Sequence, residues 1–147
     1  MDAVEKSLVY ECLSEIRAGI AANMSAKGVN ASGRTVRSME IIEEPSGATL
    51  YGRAFFATLE TGRRPGKWPP REKIYRWSID KKIAFRDDRQ RRAFSFLTAR
   101  KIGREGTKLY REGGRKDIFT DVIDRELAKL EGRIQGMYVA KVERILR

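Results

Sequence analysis

Between Val4 and Met24 the apolar residues fall at a step of four: Val4, Leu8, Cys12, Ile16, Ile20 and Met24, with Val9 and Leu13 beside them. A strand repeats every two residues, so this spacing belongs to an amphipathic helix, here over 3–26. Gly28 is a natural stop for it. A second long stretch, Ile118 to Ile145, places Ile123, Leu127, Leu130, Ile134, Met137, Val142 and Ile145 near a 3.5-residue repeat. That predicts a C-terminal helix over 118–146. Gly132 and Gly136 sit four apart in it, marking either a close neighbour or tolerated surface glycine.

Two long helices with one apolar side each need something to pack on, and the middle of the chain supplies it. Met39–Glu44 and Ala48–Gly52 are rich in β-branched and aromatic residues and flank Pro45-Ser46-Gly47, which predicts an antiparallel hairpin over 38–53. RTVRSM before it has room for one or two helical turns. Residues 54–61 read as a short helix capped by Gly62. Pro69-Pro70 opens another, with Glu72 in its first turn and Ile74, Trp77 and Ile83, helped by Tyr75 and Ile79, as its apolar side. Asp87 or Asp88 caps a further helix to Gly103, for which Ala93, Phe94, Phe96 and Leu97 are the expected buried residues. Gly106–Asp117 reads as a loop. The 147 residues therefore predict one α+β domain, helix-dominant, its long terminal helices packed on a small antiparallel hairpin, with a loop at 62–70 and a basic helical region at 70–105.

The charge is unevenly spread. Lys and Arg number 31 against 20 Asp and Glu, a net charge of +11. Residues 1–52 hold 5 basic and 7 acidic side chains, residues 53–116 hold 20 and 7, and residues 117–147 hold 6 of each. The whole excess lies between Arg53 and Lys116. Such a block attracts polyanions or acidic protein surfaces without reading base sequence. Arg89, Arg91, Arg92, Arg100, Lys101 and Arg104 share one predicted helix and are candidates to face a DNA channel or an acidic partner.

Catalytic and metal chemistry have little to work with. There is no histidine, which removes the commonest general base and zinc ligand. The pairs Asp87-Asp88 and Glu43-Glu44 face different ways in regular structure and read as caps or solvated turns. GREG and REGG lack the spacing of a phosphate loop. Cys12, alone in the chain, lies on an apolar stripe and reads as core. The expectation is no enzyme, no catalytic residue, no metal and no cofactor. MDAVEKSL carries acids where a signal peptide needs a basic start, and no apolar run approaches the ~18 residues of a membrane span. A chain made in the cytoplasm that stays soluble there is expected.

The stretch ATLETGRRPGKWPP, residues 57–70, sets a large aromatic and three cations on a stiff proline loop. Trp77, at helical spacing from Ile74, reads as core; Trp68, on the loop, either anchors an interface or folds back on its own core. Ala57-Thr58-Leu59-Glu60-Thr61-Gly62, then Leu97-Thr98-Ala99-Arg100-Lys101-Ile102-Gly103-Arg104-Glu105-Gly106, then Phe119-Thr120-Asp121-Val122-Ile123, stand in an order and spacing that resemble the tail-completion (tail-component) family of head-to-tail neck proteins in long-tailed bacteriophages. The third element departs from that pattern in lacking its proline and alanine, and the turns after Leu130 extend beyond it. The resemblance implies a subunit of a homo-oligomeric ring, commonly a hexamer, between connector and tail tube, with double-stranded DNA passing through. It implies a virion neck location after assembly in the host cytoplasm, and connector, tail-tube or terminator proteins as partners. Glu60, Arg63, Arg64, Lys67 and Trp68 are then the candidate subunit interface. A tail terminator capping the tube is an alternative within the class. A small non-specific DNA-binding protein is the alternative outside it, with a histidine-free nuclease more remote.

Overall fold

A computed structural model describes all 147 residues. The long N-terminal helix α1 spans Ala3–Ala26 and opens on a capping box, in which the Asp2 carboxylate accepts the Glu5 N–H and the Glu5 carboxylate accepts the Asp2 N–H, both at 2.9 Å. A short helix α2 (Arg34–Arg37) leads into β1 (Glu40–Glu44) and β2 (Gly47–Tyr51), an antiparallel pair in which Glu40 faces Tyr51 and Ile42 faces Thr49. α3 (Thr58–Thr61) ends at Gly62. Glycine is required there: φ is 70°, and a β-carbon would lie 2.4 Å from the Tyr110 nitrogen.

α4 (Arg71–Asp80) and α5 (Asp88–Glu105) form a helical hairpin. Asp87 is the cap of α5, accepting the Gln90 N–H at 2.8 Å. The predicted loop at 106–117 contains one helical turn, α6 (Lys108–Arg111), before α7 (Thr120–Leu146) closes the chain. No helix is long and apolar enough to cross a membrane.

α1 and α7 lie antiparallel, tied along their length by Asn23 to the Ile118 carbonyl, Cys12 to the Glu126 carbonyl, Glu11 to Arg133 and Asp2 to Lys141. Cys12, Ile16, Ile20 and Met24 of α1 meet Met39 and Ile118 in the core, and Leu50, Phe56, Leu59, Phe119, Ile123 and Leu130 close over it. From Cys12 onward the expected stripe of α1 is the buried stripe, whereas Val4 at its start is 57% exposed, and Cys12 is core. The fold is the helix-dominant α+β domain that the sequence predicts.

Three packing expectations need correction. On α4 the buried residues are Ile74 and Ser78, while Trp77 and Ile79 stay 43% and 49% exposed. On α5 they are Ser95, Ala99 and Gly103; Phe94 is half-buried, and Ala93, Phe96 and Leu97 point outward. The buried positions of the two helices are therefore mostly small, with Ile74 the large exception, while Trp77, Ile79, Phe96 and Leu97 stay exposed. On α7 the innermost residues are Val122 and Glu126, with Leu127, Val142 and Ile145 exposed. The last turns run past the start of α1, so nothing covers them. A β-carbon on Gly132 or Gly136 would meet nothing within 4 Å, so these are surface glycines.

Candidate interface surfaces

Glu60 is not an interface residue. It is 4% exposed, and its carboxylate stands at the start of α7, accepting the N–H groups of Ile118, Phe119 and Thr120 at 3.0, 2.7 and 2.9 Å and the Thr120 hydroxyl. These are donors that a helix start leaves without intrahelical partners, and a carboxylate is the favoured group there. Burial pushes the Glu60 carboxyl up, but the hydrogen bonds from Thr120, Phe119 and Ile118 outweigh it and hold it below its ordinary range. The Glu60 carbonyl also accepts the Arg115 N–H at 2.8 Å, fastening the segment before α7 to α3.

The loop after Glu60 lies along the C-terminal end of α5. Thr107 Oγ1 accepts the Arg63 N–H at 2.9 Å, the Arg63 carbonyl accepts the Thr107 N–H at 2.9 Å, and the Gly66 N–H donates to the Gly103 carbonyl at 2.9 Å. The Arg63 guanidinium closes the loop on the Lys67 carbonyl at 3.2 Å. Trp68 then lays its ring on Gly103, where a β-carbon would come within 2.2 Å of it, and meets the Phe96 ring edge-on at 6.0 Å. Trp68 is still 48% exposed. It is seated on its own helix and presents its other side to solvent, so it combines both roles considered for it. The loop before it, with Tyr110, lines an open concavity of about 720 Å³ through Arg63, Arg64, Pro65, Gly66 and Lys67. Arg64 and Lys67 are exposed and no carboxylate pairs with either.

The six candidate cations of α5 divide. Arg89, Arg100, Lys101 and Arg104 are exposed and unpaired, and Arg89, Arg100 and Arg104 fall within about 60° of one another around the helix axis. Arg92 is half neutralised by Asp88 at 2.7 Å and stacks over Tyr75 at 5.0 Å. Arg91 belongs to the fold and does not face a channel. Its guanidinium donates to Ser78 Oγ at 2.8 Å and the Ile83 carbonyl at 3.1 Å, with the Phe85 ring 4.7 Å away. It staples α5 to α4 through the narrow seam that Ser78 and Ser95 leave.

The sequence reading passed over two features. Thr107 clamps the Trp68 loop and accepts the Tyr110 N–H that starts α6, but Thr before a short helix gives only a weak signal. The outer face of the hairpin carries Glu40, Ile42 and Glu44 beside Thr49 and Tyr51, with Ile42 43% and Tyr51 50% exposed. The signal was weak, because Glu40-Ile41-Ile42-Glu43-Glu44 does not alternate along β1.

No protein-family model matches the chain, and neither a curated protein nor a solved structure matches it. The surfaces therefore carry the functional argument themselves.

Proposed function

We propose that this chain is a structural subunit of a bacteriophage head-to-tail joint, a tail-completion protein that works in a homo-oligomeric ring around the DNA and performs no catalysis. The observation that carries the oligomeric part is surface area. The chain exposes 10258 Å², against about 7,700 Å² for a typical monomer of its 16.8 kDa. Only 15 residues are buried, while large hydrophobics such as Trp68, Phe96, Leu97, Val139 and Leu146 are 42–80% exposed. Two interfaces per subunit, each hiding about 800 Å² of its surface, would absorb about 1,600 Å², the larger part of this excess.

The resemblance of residues 57–62, 97–106 and 119–123 to neck proteins supports the location, and the exposed cations of α5 suit a surface that passes phosphate without gripping any sequence. A ring of about six copies between connector and tail tube fits both. A tail terminator shares these requirements. The DNA-binding alternative is favoured by the Arg89, Arg100 and Arg104 stripe alone and leaves the exposed apolar surface without a use.

Native mass measurement of the purified chain and electron microscopy of particles lacking it test the reading together. The expected results are a closed oligomer and unjoined heads and tails. A chain that stays monomeric at every concentration, with particles joined normally without it, overturns the proposal.

A further inference from the structure

Two surfaces of this chain are complementary to each other and lie far apart in its fold. The first is the outer face of the hairpin. Ile42 stands exposed at its centre and Tyr51 exposed at its open end opposite Glu40, with Glu44 at the turn end. Neither carboxylate has a cationic partner, and Glu44 accepts only the Thr49 hydroxyl at 3.3 Å. Arg53, just past β2, is drawn over the Phe55 ring at 5.0 Å. The second surface is the Trp68 seat: an exposed ring next in the chain to a cationic concavity rimmed by Arg64 and Lys67. One surface is apolar with an acidic rim, the other apolar with a basic rim.

The fold keeps the two from meeting within one molecule. The hairpin packs on α1, whereas the Trp68 loop is fastened to the far end of α5 by Gly103 and Thr107. Both rims lie outside the salt bridges that Asp2, Glu11, Asp80, Asp88, Asp117 and Glu126 make elsewhere on the chain. Carboxylates and cations left unpaired around exposed aromatic and aliphatic groups are what a desolvated, charge-steered contact uses.

We infer that the Trp68 seat of one copy docks on the Glu40–Ile42–Glu44–Tyr51 face of the next copy. Because the two surfaces differ, the contact is head-to-tail, and repeated around a closing rotation it makes a ring and not a two-fold dimer. The inference rests on the ring reading above and names the surfaces that would build it. It assigns the loop cations Arg64 and Lys67 to a protein neighbour and leaves DNA to the outward cations of α5, Arg89, Arg100 and Arg104.

A charge swap in the full-length chain tests this. E40K/E44K and R64E/K67E each alter only exposed side chains, and unchanged thermal melting of the dilute protein verifies folding. In sedimentation velocity at low salt, each variant alone is expected to shift the concentration for assembly upward by about tenfold or more, since like charges then face one another. An equimolar mixture is expected to assemble again, because each altered face then meets a complementary one. Wild-type-like assembly of both single variants, or a mixture that fails to recover, overturns the pairing while leaving a wild-type ring in place. R64E/K67E that assembles normally but no longer retains DNA overturns it in favour of a nucleic-acid surface. A wild-type chain that never associates overturns both the pairing and the ring.

Discussion

At the scale of single residues, Glu60 and Gly103 do the most for the region that matters. Removing the Glu60 carboxylate leaves three backbone N–H groups at the start of α7 without their acceptor, two of them on half-buried residues. Glu60→Ala is expected to cost about 3 kcal/mol in chemical denaturation, since each buried donor left unsatisfied costs about 1–3 kcal/mol. The pH dependence follows from the sign of its shift. A carboxyl held lower in the folded than in the unfolded state adds stability that is complete above the unfolded titration and lost as the pH falls through the folded one. Glu60→Gln should therefore flatten the acid limb of a stability-against-pH curve and leave its alkaline side parallel to wild type. Gly103 poses a cleaner question. Alanine is a better helix former by about 1 kcal/mol, yet its β-carbon would collide with the Trp68 ring. Gly103→Ala is expected to destabilise wild type by about 1 kcal/mol or more and to stabilise Trp68→Ala by about 0.5–1 kcal/mol, a reversal of sign that a double-mutant cycle reads directly. Trp68→Ala alone should cost about 2 kcal/mol, roughly half of a fully buried tryptophan, because half of the ring is already in solvent.

At the scale of elements, α5 separates cations that hold the fold from cations that face outward. Changing Arg89, Arg100 and Arg104 to Gln should leave melting unchanged and lower the salt slope of any DNA binding by about 2–3, since each phosphate contact contributes about 0.9. Arg91→Gln should do the opposite, destabilising the α4–α5 hairpin by about 1–3 kcal/mol through the lost bonds to Ser78 and Ile83, with little change in that slope. Thermal melting and filter retention at several salt concentrations distinguish the two sets. The same helix marks the limit of what the sequence reveals. α1 was legible because its step of four runs over several turns. The hairpin was legible because Pro45 and Gly47 punctuate it. The inward face of α5 was not, and that of α4 only at Ile74, because hydrophobic periodicity assumes that large residues go inside, and here Ser78, Ser95, Ala99 and Gly103 do so as well. Glu60 was misread for a related reason. A carboxylate beside Thr61-Gly62 looks like surface until Thr120, 60 residues later, folds back on it.

At the scale of the whole molecule, the proposed assembly bears most directly on the end of α7. Its pairing with α1 ends at Lys141, which meets Asp2, and beyond that point Val142, Ile145 and Leu146 are 54%, 81% and 80% exposed. Side chains so exposed contribute little to the fold of the isolated chain, so deleting residues 142–147 is expected to change the melting temperature at high dilution by no more than surface substitutions do, within about 0.5 kcal/mol. In concentrated wild-type protein the expectation differs. Association that favours the folded over the unfolded chain raises the melting temperature with concentration. If the overhang is covered by a neighbour, the deletion should remove much of that rise while leaving the dilute value in place. Salt then separates the two kinds of surface. Screening weakens the contact between the Glu40–Glu44 rim and the Arg64–Lys67 rim, whereas an apolar contact made by Val142, Ile145 and Leu146 is strengthened by sulfate. Calorimetry of the wild-type and shortened chains across concentration, in chloride and in sulfate, reads both effects. A deletion that unfolds the dilute protein would make α7's last turns part of the monomer's own fold. A melting temperature independent of concentration in both salts would remove the case for assembly altogether.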